Sequence, residues 1–199
     1  GLLSLGFILA LFFSSNAMMG IMRSFDKGYI GFVKRNALRT RIAALKLTIM
    51  VFVIVLLSIG ALALRGNILV WLGVENKWIR YIITNLRWIV IFMLFFYTVS
   101  FIYRHAPAHE KKWRLINPGS ILATALMIIF TMFFSYWVNH FGNYNQLYGS
   151  IGTVLILMLL IYFNSLVLLI GFELNVSISS LKRIADERKK EDITGSGSK

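Results

Sequence analysis

The sequence predicts an all-α protein, a polytopic bundle of five transmembrane helices. Of its 199 residues, 58% are hydrophobic and 15% are charged, where an ordinary soluble domain has about 25% charged residues. The 16 Phe, 8 Tyr and 5 Trp are more than one small soluble core would bury. Most of these side chains therefore face lipid, and both a soluble enzyme domain and a disordered chain are excluded.

Five apolar stretches carry this prediction, because a helix needs about 20 mostly apolar residues to cross a bilayer. In chain order they are residues 2–22, 47–64, 88–103, 115–141 and 147–172. They form one predicted bundle over residues 1–181. A charged cytoplasmic tail is expected over residues 182–194 and a flexible linker over 195–199, where Gly and Ser alternate.

The distribution of basic residues predicts the orientation of the bundle. The chain has 21 Lys and Arg against 8 Asp and Glu, a net charge of +13, which in a soluble protein would suggest nucleic acid as a partner. Here 17 of the 21 lie in residues 23–46, 104–114 and 182–199, and the other four lie in 65–87. Positive charge marks the cytoplasmic side, so the C-terminus is predicted to be cytoplasmic. Membrane lipids are the expected partners and nucleic acid is not one.

Polar side chains within the spans are the candidate functional residues, since each costs free energy in lipid unless it faces other helices or water. Ser120, Thr124, Thr131 and Ser135 are spaced by 4, 7 and 4 residues, which keeps them on one face of the fourth helix. Such a hydroxyl stripe serves close helix packing in one interpretation and lines a solute cavity in the other.

Arg80 and Arg87 share one face of the third span, toward its outer end. Long Arg side chains near a helix end can reach the interface and hold lipid phosphates. Arg87 lies further from the helix end. The alternative for this residue is that it acts as an internal cation that meets an anionic group.

The fifth span contributes both packing and polar candidates. Gly149, Gly152 and Gly171 are small residues that allow close helix contact. Asn164 lies in mid-span, where an interhelical hydrogen bond or a cavity-lining role is expected. Glu173 follows the span near the cytoplasmic interface, either paired with a basic loop residue or acting as a gating carboxylate.

Catalytic patterns are weak throughout the sequence. His105 and His109 have the spacing of half a metal site, but Pro107 interrupts a helix between them, and His140 is predicted on the opposite side of the membrane. A zinc enzyme needs three or four convergent ligands. The sequence also has no Cys and no phosphate-binding or nucleophile motif. We expect no metal, no cofactor and no enzymatic activity.

Several motifs together resemble the YihY/BrkB family of bacterial inner-membrane proteins. They are the segments 145–152 (NQLYGSIG) and 169–175 (LIGFELN), with His105-Ala106-Pro107, Trp113-Arg114 and Pro118-Gly119 upstream. The resemblance implies a six-span fold with both termini cytoplasmic, so that the family's first span is absent from this chain. Phe172 departs from the small residue that many members have there.

The resemblance also implies a link to envelope integrity and to transport of lipids or solutes, while the family's old ribonuclease label has no support in these residues. Our hypothesis is a transporter or flippase-like protein for a lipid or other amphipathic anionic solute. The alternative is a membrane scaffold or envelope-assembly partner that does not transport, in which the same polar residues only hold helices together.

Overall fold

The computed structural model describes residues 1–26, 36–63, 76–108, 113–140 and 144–196. Within these ranges the chain forms five α-helices and no strand. The helices are α1 (Leu2–Phe25), α2 (Ala37–Ala63), α3 (Lys77–His105), α4 (Pro118–His140) and α5 (Tyr144–Ser196). Each contains a segment long and apolar enough to cross a membrane. The predicted all-α fold with five spans is confirmed.

Three helices extend well beyond the apolar stretches that predicted them, and one of them is α3, which begins at Lys77 rather than near Trp88. Helix α2 begins at Ala37 rather than near Leu47, because its basic first turns have good helix propensity and flexible stems that carry the charge away from lipid. Helix α5 continues through Ser196 and includes the first two residues of the predicted linker. The exposed ion pair between Arg183 and Glu187, at 2.9 Å and one turn apart, supports this extension.

Local signals fix the starts of α3 and α4. The Asn76 side chain accepts a hydrogen bond from the backbone N–H of Trp78 at 3.0 Å, which caps α3. The Asn117 side chain does the same for α4, accepting from the N–H of Ser120 at 2.8 Å. Pro118 then occupies the first helical position, where its missing N–H is not needed.

The described residues divide into two compact units, of which the first contains α1, α2 and α3 and ends at Leu115. Helix α2 packs against both α1 and α3. The core of this first unit includes the fully buried Met22, Phe25 and Tyr103. The rings of Phe25 and Tyr103 make an edge-on contact, with their centres 5.9 Å apart. This contact joins the end of α1 to the last turns of α3.

The second unit contains the antiparallel pair α4 and α5. Gly119 lies against Gly171 at one end of the pair, and the rings of Phe130 and Phe163 meet at 4.7 Å further along. Residues later in α4 thus contact residues earlier in α5, so the two helices run antiparallel. Phe172 is fully buried in this pair.

Large apolar side chains cover the outside of every helix. Leu3 in α1 is 92% exposed, and Phe133 in α4 and Ile161 in α5 are also exposed. Such continuous apolar surface is unfavourable in water but suits hydrocarbon. The packing thus agrees with the composition in assigning lipid as the solvent.

Candidate functional site

A positively charged side chain lies between α1 and α2. The Arg41 guanidinium donates a hydrogen bond to the side-chain oxygen of Asn16 and lies 3.9 Å from the sulfur of Met19. It also stacks over the ring of Phe12, 4.7 Å from the ring centre. Arg41 and Asn16 are both half-buried, so the charge is held in place yet remains reachable from outside the pair.

The partners of Arg41 lie within the first span, although Arg41 itself belongs to the basic first turns of α2. Asn16 precedes Arg23, the first charged residue of α1, by seven residues, or about 10 Å along the helix. Phe12 lies a further turn in. In the part of the chain that the structure describes, the partners of Arg41 are an amide, a thioether and an aromatic ring, and none is negatively charged. A cation that is held by uncharged partners beside the apolar region is a candidate functional residue.

A network of polar groups joins α4 to α5. The Asn175 side chain accepts a hydrogen bond from the N–H of Gly119 at 2.8 Å and donates one to the Asn117 side chain at 2.6 Å. Asn117 caps α4, and the Ser120 hydroxyl donates to the Asn117 carbonyl at 2.9 Å. All four residues are buried. We call Asn117, Gly119, Ser120, Gly171 and Asn175 the α4–α5 clamp.

Close backbone approach completes this clamp. A Cβ atom at Gly119 would lie 2.0 Å from the carbonyl oxygen of Gly171 and 2.5 Å from the Asn175 amide nitrogen. No side chain fits there. Glycine at 119 therefore lets the start of α4 touch the backbone of α5, and the amide of Asn175 satisfies the N–H group that this contact buries.

The ends of α1 and α3 are tied by a carboxylate. Asp26, directly after α1, accepts a hydrogen bond from the N–H of Ala108 at 3.0 Å. Ala108 lies beyond the end of α3, past Pro107, and is buried. The carboxylate thereby accepts a hydrogen bond from a buried N–H group outside regular secondary structure. This bond is charge-assisted, and it holds the two helix ends together.

The predicted hydroxyl stripe of α4 divides into two halves. Ser120 and Thr124 are buried, and the Thr124 hydroxyl has no hydrogen-bond partner among the described residues. Thr131 and Ser135 are exposed on the isolated chain. Ser120 belongs to the clamp, and a cavity-lining role for the stripe stays a prediction.

On α5, Asn164 is half-buried and donates to the Leu160 carbonyl of its own helix at 2.9 Å. Glu173 is exposed. Gly152 and Gly171 are buried, and Gly171 presents its carbonyl to Gly119.

Some predicted residues lie outside what the structure describes. The side chains of Arg80 and Arg87, in α3, and the surroundings of Gly149, in α5, are not among the described parts. His109 also lies outside the described residues. Over the described ranges, no three His, Asp or Glu residues are grouped so that they could hold a metal ion.

Sequence reasoning missed the residues with the most specific contacts, Arg41, Asp26 and Asn175. Arg41 is one of seven basic residues between the first two apolar stretches, and nothing in its spacing separates it from the others. A usable signal was the polar break in the first span at Ser14-Ser15-Asn16, which supplies the amide that Arg41 binds.

Fold and charge placement define the class: this is a multi-pass α-helical membrane protein. The profile of the family described as virulence factor BrkB matches residues 1–194. The chain therefore belongs to the BrkB family of membrane proteins, as its motifs suggested.

Curated relatives agree with this assignment. The chain is 32% identical over 196 residues to the ribonuclease-like protein YfkH of Bacillus subtilis, a match that covers 94% of this chain and 69% of the relative. A UPF0761 membrane protein of Stenotrophomonas maltophilia is 30% identical over 108 residues, which is 54% of this chain and 25% of that protein. One from Xanthomonas campestris is 33% identical over 87 residues, 44% of this chain and 20% of that protein.

The chain thus spans about two thirds of the first relative and a quarter or less of the other two. No solved structure matches the chain.

Proposed function

We propose that this BrkB-family protein is a transporter or flippase-like protein of the bacterial inner membrane, with a cytoplasmic C-terminus, and that it moves a lipid or other amphipathic anionic solute. In this proposal it has no enzymatic activity and needs no cofactor. Its role in the cell is to maintain the envelope, as the family resemblance implies.

The observation that carries the proposal is the position of Arg41. Its partner Asn16 lies about 10 Å further into the first span than Arg23, and its described partners are all uncharged. A cation beside the apolar region that has no counter-ion among the described residues is stabilised when an anion arrives. Because Arg41 is only half-buried, an anionic headgroup can approach it from outside the α1–α2 pair.

The chemistry of the partners favours an anion over a cation or a neutral solute. Asn16 uses its carbonyl oxygen on Arg41, and the Phe12 ring supports the guanidinium plane from one side. The guanidinium has five N–H donors, and the described contacts use few of them. The remaining donors suit the oxygens of a phosphate or carboxylate.

The experiment reconstitutes the full-length protein in liposomes and follows the movement of a fluorescent phosphatidylglycerol between leaflets. Arg41→Gln is expected to slow this movement about tenfold, since a hydrogen-bonded charge pair contributes about 1.5–3 kcal/mol. Arg39→Gln is the matched control, because Arg39 is exposed in the same helix and the charge change is identical. Equal rates in both variants and the wild type would remove Arg41 from the proposal.

The two ionisable residues singled out from sequence belong in the same assay. Arg87→Ala and Glu173→Gln are expected to slow movement if they take part in the passage. Unchanged rates in both variants would exclude Arg87 and Glu173 from the passage. The role of Arg41 is tested separately by Arg41→Gln.

A scaffold that does not transport is the second candidate, favoured by the α4–α5 clamp. In the clamp, the buried amides and the Ser120 hydroxyl form hydrogen bonds with groups of the clamp itself. Asn164 donates a hydrogen bond within its own helix. A scaffold would give no movement of any headgroup above that of protein-free liposomes.

A further inference from the structure

We infer that the part of α5 beyond the membrane binds a second copy of this chain, side by side and in the same direction. The contact surface is a line of residues that we call the outer stripe of α5: Leu174, Ser177, Leu181, Ile184 and Arg188. The inference is separate from the proposed transport, because a transporter and a scaffold can both assemble in this way. It uses no residue of the Arg41 site or of the α4–α5 clamp.

The end of α5 lies outside the hydrocarbon core. The apolar stretch 147–172 is about 39 Å long at 1.5 Å per residue, which already exceeds the roughly 30 Å of that core. Beyond it, Ile184 has four charged neighbours along the helix, which are Lys182, Arg183, Asp186 and Glu187. Every side chain from Ser179 to Lys190 is exposed. This part of α5 therefore projects into water with its side chains uncovered.

The outer stripe has the spacing of a surface for helix pairing. Its five residues follow one another at intervals of 3, 4, 3 and 4, which is the heptad pattern by which two parallel helices pack. Leu181 is 66% exposed and Ile184 is 48% exposed, although exposure of apolar side chains to water is unfavourable. A helix packed along the stripe would remove this apolar area from water.

The outer stripe faces away from α4. The Asn175 side chain bonds α5 to the start of α4, and Ile184 follows Asn175 by nine residues, or two and a half turns. The two side chains therefore lie on opposite sides of α5. A second helix can reach the stripe without displacing the clamp.

The geometry of α5 favours a second copy as the partner. The helix is continuous from Tyr144 to Ser196, so the membrane fixes its direction and holds Ile184 at the same height in every copy. Two copies that meet along the stripe are then parallel and in register. A two-fold axis between them places each residue of the stripe opposite itself.

The charges of the stripe also suit a second copy. Arg188 occupies the heptad position of Leu174 and Leu181, and Glu187 precedes it at a flanking position, where charged residues form bonds between helices. Glu187 bonds Arg183 of its own helix through one carboxylate oxygen, and its other oxygen makes no described contact. Glu187 of each copy can therefore accept a hydrogen bond from Arg188 of the other, which makes the surface complementary to itself.

Disulfide crosslinking tests the outer stripe, because the chain contains no Cys. Single variants Ile184→Cys and Asp186→Cys of the full-length protein would be oxidised in membrane vesicles with copper phenanthroline. Both positions are exposed, but only residue 184 belongs to the stripe. We expect at least about fivefold more crosslinked dimer from Ile184→Cys, since a disulfide requires two Cα atoms within about 7 Å of each other. The unsubstituted protein gives the background yield.

Charge reversal tests whether the partner is a second copy. In a Leu181→Cys protein, the added substitution Arg188→Glu should lower the dimer yield about threefold, because exposed ion pairs contribute up to about 1 kcal/mol. Combining Arg188→Glu with Glu187→Arg should restore the yield, since the reversed charges again match between the two copies.

The inference is overturned if Ile184→Cys and Asp186→Cys give equal yields, since random collision would then explain both. It is also overturned if neither yield exceeds the background, because something other than a second copy would then cover the stripe. A charge reversal that restores nothing would contradict the pairing of Arg188 with Glu187 between copies. Should Ile184→Cys fail to insert, the yield of Leu181→Cys against Asp186→Cys decides in the same way. Because crosslinking reports only proximity, the outcome is independent of whether the protein moves lipid.

Discussion

The side-chain oxygen of Asn175 in α5 accepts a hydrogen bond from the backbone N–H of Gly119 in α4 at 2.8 Å. The first N–H groups of a helix have no partner within that helix. The Asn175 amide thus supplies a partner for one of them in the first turn of α4. Its nitrogen reaches the Asn117 cap at 2.6 Å. The start of α4 therefore depends on a residue more than fifty positions away.

Loss of this amide should destabilise the α4–α5 pair. Asn175→Ala leaves the buried N–H of Gly119 unpaired, at a cost of about 1–3 kcal/mol. Asn164→Ala is the control, because the described hydrogen bond of Asn164 is to its own helix, and it should cost less. Thermal unfolding in detergent measures both, and equal losses would show that the amide does not join the helices.

The glycine contact gives a second prediction. Gly119→Ala places a methyl group 2.0 Å from the Gly171 carbonyl, so the helices must separate, at a cost of about 1–3 kcal/mol or more. Gly60→Ala in α2 meets nothing within 4 Å and should stabilise by about 0.5–1 kcal/mol. The two variants should shift the Tm in opposite directions; a Gly119→Ala protein as stable as the wild type would contradict the contact.

A third prediction concerns the carboxylate between α1 and α3. Asp26→Ala removes the acceptor of the buried Ala108 N–H, and the unfolding free energy should fall by about 1.5–3 kcal/mol. Asp186→Ala, at an exposed position of α5, should stay within about 0.5 kcal/mol of the wild type. Unfolding of the two variants under one set of conditions provides the comparison, and an Asp26→Ala protein matching Asp186→Ala would mean that this bond adds no stability.

The orientation can be tested directly because the sequence contains no Cys. Single variants Asn76→Cys and Arg183→Cys each create one thiol at an exposed position. On right-side-out membrane vesicles, an impermeant maleimide should label residue 76 at once and residue 183 only after permeabilisation. The reverse pattern would overturn the predicted orientation.

Much of the fold was predictable because lipid imposes a simple rule: each long apolar stretch forms a helix that satisfies its own backbone. All five spans were found in this way, with errors at the helix ends. Helix α2 starts at Ala37 among basic residues, and hydropathy cannot predict a helix that continues outside the hydrocarbon core.

The candidate site was harder to predict because pairing between helices depends on register. The role of Asn175 becomes visible only when Gly119 lies against Gly171. Likewise, Arg41 differs from neighbouring cations only because its side chain meets Asn16 and Phe12 on another helix. The sequence pattern predicts faces within one helix, but it contains no information on which faces meet.

The claim that the protein moves an anionic amphiphile is tested most directly by headgroup selectivity. Liposomes that contain the wild-type protein would carry fluorescent phosphatidylglycerol or fluorescent phosphatidylcholine, and the rate of transfer between leaflets would be measured for each. Our account predicts faster transfer of the anionic lipid than of the zwitterionic one, and faster than in protein-free liposomes. Equal rates for the two lipids, or rates no higher than without protein, would contradict it.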